Sequence, residues 1–202
     1  MNIIRNNKGQ SLLEVIFALF ILITGLVATI ALIVTSINAG RESINKLVGA
    51  SLSREGIEIV RNIRDSNWID PDSGVSWDDG LTGDNTAIPV IDGSSDIILD
   101  FAVNDFTDFT KIFLNNGQYV QGGTASGEQT RFYRLIYINE LCQDDTGAEE
   151  IVPLSSSNDC LTEFGGTYSQ VGIRVVSEVR WPSAMSNKKL IIEDRFYNWQ
   201  IL

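Results

Sequence analysis

The chain has 202 residues, with 15 Lys+Arg against 26 Asp+Glu and a formal net charge of −11. That balance argues against a general affinity for nucleic acid or anionic lipid. No histidine occurs, which removes the commonest general base and zinc ligand and with them Ser-His-Asp and Cys-His catalysis.

Residues 1–9 form a short polar leader that carries Arg5 and Lys8 and no acid. From Val15 to Gly40 no residue is charged, and up to Val34 only Thr24, Gly25 and Thr29 interrupt the apolar run. A hydrocarbon core of about 30 Å takes roughly 20 apolar residues as a helix. A soluble helix that is apolar on every side needs a large protein around it, which this chain does not supply. The run therefore predicts a membrane span, with Arg5 and Lys8 holding the N-terminus in the cytoplasm. Glu14 stands just inside its start. An intramembrane carboxylate costs several kcal/mol unless it protonates, reaches the interface or finds a partner. The bland reading is a Glu one turn from the interface, reaching back to headgroup level.

Gly9, Gln10, Ser11, Leu12, Leu13, Glu14 and Val15 together follow a sharper pattern. A basic leader ending in Gly, then a new start with Glu at its fifth position, resembles the class III signal of type IV pilin-like proteins. The resemblance implies cleavage between Gly9 and Gln10 by a prepilin peptidase, and N-methylation of Gln10. It also implies that Glu14 pairs with the free amino terminus of a neighbouring subunit during assembly. The family usually begins its mature chain with Phe, so Gln10 is a departure. The helix proline of many major pilins is also missing, with Ala31 near its place. Cleavage would take the charge to 13 − 26 = −13. Three other N-termini compete. A secretory signal peptide would have a shorter apolar core, although Ile37-Asn38-Ala39 is a tolerable cleavage site. A lipoprotein anchor needs a Cys that is not there. An uncleaved signal anchor would have the same orientation.

Past the span, Ile44, Val48, Leu52, Ile59 and Ile63 recur at helical steps with Leu47 and Val60 beside them, and charged residues fill the other side. This predicts an amphipathic helix over 41–65 that continues the span of 10–40, weakened locally by Gly49 and Gly56. The remaining 66–202 suit one β-rich head. Asn67 to Asp96 read as loop, dense in Asp, Gly, Asn and Ser, with Trp68, Trp77 and Ile88 pinning it to the head. Strand-like runs follow at Ile97–Val103, Lys111–Leu114, Arg131–Leu141, Gly172–Trp181 and Lys189–Gln200, in the style of half-buried antiparallel strands. The expected fold is α+β: a long N-terminal helix packed on a small antiparallel sheet.

Cys142 and Cys160 are an even pair on the far side of the membrane, which favours a disulfide; two buried thiols are the alternative. The acidic turns offer calcium candidates at Asp70, Asp72, Asp78, Asp79 and Asp84, or at Asp144, Asp145, Glu149 and Glu150. The EF-hand spacing is not met because Gly74 takes its fifth place, and solvated turns are the favoured reading. Arg131, Arg134, Arg174, Arg180, Lys188, Lys189 and Arg195 would offer a DNA contact if grouped on one face. Against so acidic a chain, pairing with acids across the sheet is favoured.

The closing strands, with Val179-Arg180-Trp181 and Phe196-Tyr197-Asn198-Trp199, resemble heads of minor pilins of the pilus-modification type and of type II secretion pseudopilins. The resemblance implies a structural subunit without cofactor or catalysis. Such a subunit sits in the cytoplasmic membrane with its head outside, then enters an extracellular filament beside other pilin subunits. The alternatives are an anchored extracytoplasmic binding domain that never polymerises, and a pilus-tip adhesin or DNA-uptake subunit.

Overall fold

No proline occurs between Lys8 and Ile69, and an unbroken helix, α1, covers that whole range. The first proline of the chain, Pro71, comes only after that range. The computed structural model describes residues 8–69, 74–82, 85–93, 96–123, 125–153, 159–183 and 186–198. Two compact units divide the chain, Met1–Asn45 and Lys46–Leu202, and α1 contributes to both. The described residues of the first unit are helix. The second is an α+β head, an antiparallel sheet covered by the later part of α1.

The head sheet is ordered around β5 (Glu128–Gln143), which pairs along one edge with β7 (Ser169–Trp181), and β7 in turn with β8 (Lys188–Tyr197). The other edge of β5 takes three shorter partners in succession. They are β3 (Lys111–Asn115), β1 (Thr86–Ile91) and β6 (Glu149–Ile151). β2 (Ile97–Asp100) extends β1, and β4 (Gln118–Val120) extends β3.

Four elements correct the sequence reading. β1 lies inside the stretch expected to be loop, and its Pro89 disguised it. The β1–β5 pairing stops at Ala87, so the N–H that Pro89 lacks is not needed on that edge. β4 follows a two-residue turn in which Asn116 and Gly117 both take positive φ (49° and 85°), the Asn-Gly hairpin chemistry of tight turns. β6 has three residues, two of them Glu, and owes its pairing to β5. A short helix, α2 (Cys160–Phe164), is capped by Asp159, whose carboxylate accepts the Thr162 N–H.

The alternation of β5 and β7 is imperfect because both faces are covered. On one face Ile57 and Val60 of α1 meet Ile136, Ile138, Ile173, Val175 and Phe196, and Leu52 meets Phe132, Val179 and Trp181. On the other, Ile88 and Val103 close over Leu135. Trp68 and Trp77 stack with ring centroids 6.5 Å apart, and Ile88 is fully buried.

Candidate functional site

Within the first unit, α1 begins at Lys8, so Gly9 and Gln10 lie on helical backbone. Glu14 sits on the same helix and is exposed. From Leu12 to Ile37 every large apolar side chain is more than half exposed, and the helix is long and apolar enough to cross a membrane. Its hydroxyls are satisfied from within. Thr24 donates to the carbonyl of Phe20 (2.9 Å), Thr29 to Gly25 (2.6 Å) and Thr35 to Ala31 (2.8 Å). With no water to take them, polar groups in a hydrocarbon layer have to be satisfied this way. The three threonines therefore do not break the apolar helix, although in the sequence two of them read as interruptions.

In the second unit the helix is fixed by close approach and by one buried cation. An added Cβ at Gly56 would lie 2.5 Å from Ser177 Oγ, and one at Gly49 would lie 2.9 Å from Trp181 Cζ3. Both glycines, which weaken a helix in isolation, let α1 sit against β7. Ser53 donates to the Ser177 carbonyl at 2.6 Å. Arg134 of β5, only 1% exposed, sends Nε to Gln121 Oε1 (2.8 Å) and a terminal nitrogen to the Leu52 carbonyl (3.1 Å). It also pairs with Glu55 at 3.3 Å. Burial lowers the affinity of this guanidinium for its proton, and Glu55 partly restores it. Arg134 is thus a core residue, not part of a surface patch.

Farther along, the Arg64 guanidinium lies 4.6 Å from the ring centroids of both Trp68 and Phe196. Arg61 holds Asp194 at 2.7 Å and also pairs with Glu58. Of the other strand cations, Arg174 binds Glu193 across the sheet with two nitrogens (2.7 and 2.8 Å) and Arg195 binds Glu149 (3.1 Å), whereas Arg180 binds Glu178 along its own strand (2.6 Å).

Cys142 and Cys160 form a disulfide, with Cα atoms 5.6 Å apart. It ties β5 to the start of α2 inside an apolar cluster with Val152, Phe164 and Tyr168. The Glu140 carboxylate lies beside it and accepts the Cys160 N–H at 3.1 Å. Burial raises the Glu140 pKa, Asp159 and Asp78 add to the rise, and the Cys160 N–H opposes it. Glu140, Cys142 and Cys160 bring three donor atoms within 4.8 Å of one another, but both sulfurs are spent on the disulfide.

Of the calcium candidates, Asp70, Asp72 and Asp84 lie outside the described residues. The Asp78 carboxylate accepts from the Ser76 hydroxyl and from Gln170 (3.1 Å). The Asp79 carbonyl accepts from Asn67 (2.9 Å). Asp144 folds its own turn, accepting from the Thr146 N–H and hydroxyl and from the Ala148 N–H, which holds its carboxyl below the usual range. The carboxylates of Asp78 and Asp144 are thus engaged by protein donors, as in structural turns. Set against family models, curated proteins and solved structures, the chain matches none.

Proposed function

We propose that the chain is a type IV pilin-like subunit of the minor or pseudopilin kind, made as a precursor and cut between Gly9 and Gln10. The part of α1 that lies in the first unit holds it in the cytoplasmic membrane with the head outside. On assembly the same helix exchanges lipid for the helices of neighbouring subunits. The observation that carries this reading is the placement of Gly9 and Glu14, five residues apart, at the entrance to a helix whose large apolar side chains from Leu12 to Ile37 are more than half exposed. Glu14 pairs with the amino group that cleavage frees on the adjoining subunit, so registration and processing are one event. We read the head as structural, without cofactor or catalysis. Its strand arginines support this, since Arg134 is buried and Arg174, Arg180 and Arg195 are committed to acids, which leaves little for DNA.

An anchored binding domain that never polymerises shares the span, the disulfide and the head, so the test has to address processing. Mass spectrometry of the chain made beside a prepilin peptidase should find an N-terminus at Gln10 carrying one added methyl group. Glu14→Leu should still be cleaved yet drop out of sheared filaments. An intact Met1, or normal incorporation of Glu14→Leu, would refute the reading.

A further inference from the structure

A cavity of about 400 Å³ opens in the head beside α1, within the size range of ligand sites. All its lining residues belong to the second unit. One wall is Gly117 to Gln121, which contains β4. The β1–β2 hairpin, with Val90 and Ile97, forms the other, and Glu55 and Ile59 of α1 and Arg134 of β5 complete it. Just past Gln121 the two walls close on each other, since a Cβ on Gly122 would lie 2.7 Å from Val90 Cγ1.

The β4 wall presents backbone that the sheet does not use. The Asn116-Gly117 turn closes on the pair Asn115↔Gln118, which exchanges hydrogen bonds across a tight hairpin. Bonded and non-bonded pairs alternate along an antiparallel ladder, so the next pair, Leu114↔Tyr119, is non-bonded. The Tyr119 N–H and C=O therefore point off the edge away from β3, and among the described residues β4 pairs only with β3.

The cavity also reaches one buried polar group with capacity to spare. Arg134 spends Nε on Gln121 and one terminal nitrogen on the Leu52 carbonyl and Glu55. Its other terminal nitrogen has no hydrogen-bond partner among the described residues. That nitrogen is not one of the polar atoms buried without a partner, so solvent reaches it, and Arg134 lines the cavity. Glu55 beside it is partly exposed. The two are the only charged residues lining the cavity, and they neutralise each other. An anion entering would meet Glu55 and a cation would meet Arg134, each at a desolvation cost. A neutral amide suits both, because its carbonyl accepts from Arg134 and its N–H donates to Glu55.

We propose that this cavity takes an extended, uncharged, apolar peptide segment of a partner protein, added antiparallel along β4. A residue opposite Tyr119 exchanges two hydrogen bonds with it, and a neighbouring peptide unit meets Arg134 and Glu55. Side chains on the inner face rest on Ile59, Val90 and Ile97. Strand addition of this kind draws affinity from main-chain bonds and specificity from the pockets for alternate side chains. The wall from Gly117 to Gln121 is about 14 Å long, which fits a segment of about four or five residues. The inference does not depend on cleavage or on entry into a filament.

The test uses the full chain in phosphatidylcholine nanodiscs and a dye-labelled capped peptide, acetyl-Thr-Val-Val-Thr, read by fluorescence anisotropy against empty nanodiscs. Binding should be saturable and unchanged from about 50 to 500 mM salt, because no net charge is engaged. It should slow hydrogen exchange at the Tyr119 amide. The analogue N-methylated at both valines keeps the apolar side chains but loses their N–H groups, and should not bind. Tyr119→Pro removes the outward N–H without touching the β3 ladder, a position where edge strands tolerate proline, and should weaken binding about tenfold. Ile97→Lys puts a charge in the uncharged wall and should weaken it at least as much. Ile98→Lys, on a neighbouring exposed residue that does not line this cavity, should leave it unchanged. Absence of saturable binding, equal binding of the N-methylated peptide, strong salt dependence, or equal effects of Ile97→Lys and Ile98→Lys would overturn the proposal.

Discussion

Gly56→Ala sets helix propensity against packing, and the distances decide which wins. Alanine in a helix interior is worth about 1 kcal/mol over glycine. The new methyl, however, would fall 2.5 Å from Ser177 Oγ and 3.3 Å from both Ser177 Cβ and Arg134 Cδ. None of these atoms lies at the loose end of a side chain, because Ser177 is in β7 and Arg134 is tied at its guanidinium. Overpacking of this kind costs about 1–3 kcal/mol, so a net loss of about 1 kcal/mol is expected, or a fall in Tm of about 2–4 °C. Ser177 Oγ is buried without a hydrogen-bond partner, so Ser177→Ala alone should be neutral or mildly stabilising. Combined with Gly56→Ala it removes the nearest clash. The double variant should then exceed the sum of the singles by about 1 kcal/mol or more, which is direct coupling between neighbours. Urea titration of the full chain in detergent micelles reads this through tryptophan fluorescence, since all four tryptophans lie beyond Lys46. A Gly56→Ala protein as stable as the parent, or strict additivity of the two changes, would refute the close approach of α1 to β7.

Cys142→Ser with Cys160→Ser opens a loop of sequence separation 18 and should cost about 3 kcal/mol. That loss is read as a lower urea midpoint with an unchanged fold at rest, and an unmoved midpoint would contradict it. The pH dependence should carry two opposed signatures. Glu140, with its pKa raised by burial, holds its proton more tightly folded than unfolded. Its contribution is therefore most favourable at low pH and declines as pH rises from its ordinary value of 4.5 towards the raised one. Glu140→Gln should flatten that decline. Glu193, lowered first by its hydrogen bond from Arg174, contributes above its ordinary range and loses that contribution as pH falls through the lowered value. Arg174→Met should remove that acid-side loss, measured as unfolding free energy against pH.

Much of this architecture was legible because it is periodic or local. The apolar run and the stripe through Leu52, Val60 and Ile63 give α1. The β-branched and aromatic runs give β5, β7 and β8, and the two cysteines paired as their context favours. What stayed hidden depends on partners distant in sequence. β1 carries Pro89 among turn residues, and only pairing with β5 and β2 makes it a strand. β4 is signalled by Asn116-Gly117, but its three residues are too few to show a period. Arg134 reads in sequence like any cation alternating along a strand, and only burial of both sheet faces turns it into a core residue. Of the candidate site, Glu14 lies exposed on α1. Asp70, Asp72 and Asp84 lie outside the described residues.

The two halves of α1 pose opposite physical problems. The head half is satisfied within the chain: Leu52 and Val60 are buried, and the Leu52 carbonyl and Glu55 hold the Arg134 guanidinium. Detaching it would strand a buried cation, a loss of about 3–5 kcal/mol by itself. The other half is covered by nothing among the described residues of its own unit. Its large apolar side chains from Leu12 to Ile37, each more than half exposed, would forfeit about 1.5–3 kcal/mol apiece in water. The sum runs to tens of kcal/mol, beyond the roughly 5–15 kcal/mol that stabilises an ordinary domain. Lipid or other helices must therefore cover it. Apolar burial hardly distinguishes the two, because lipid tails are as apolar as leucine. A residue that decides between them has to be one that the bilayer disfavours and a neighbouring chain can satisfy. On α1, from Leu12 to Gly40, Glu14 is the single charged side chain, and under the proposed function it is the group that drives the exchange of lipid for helix.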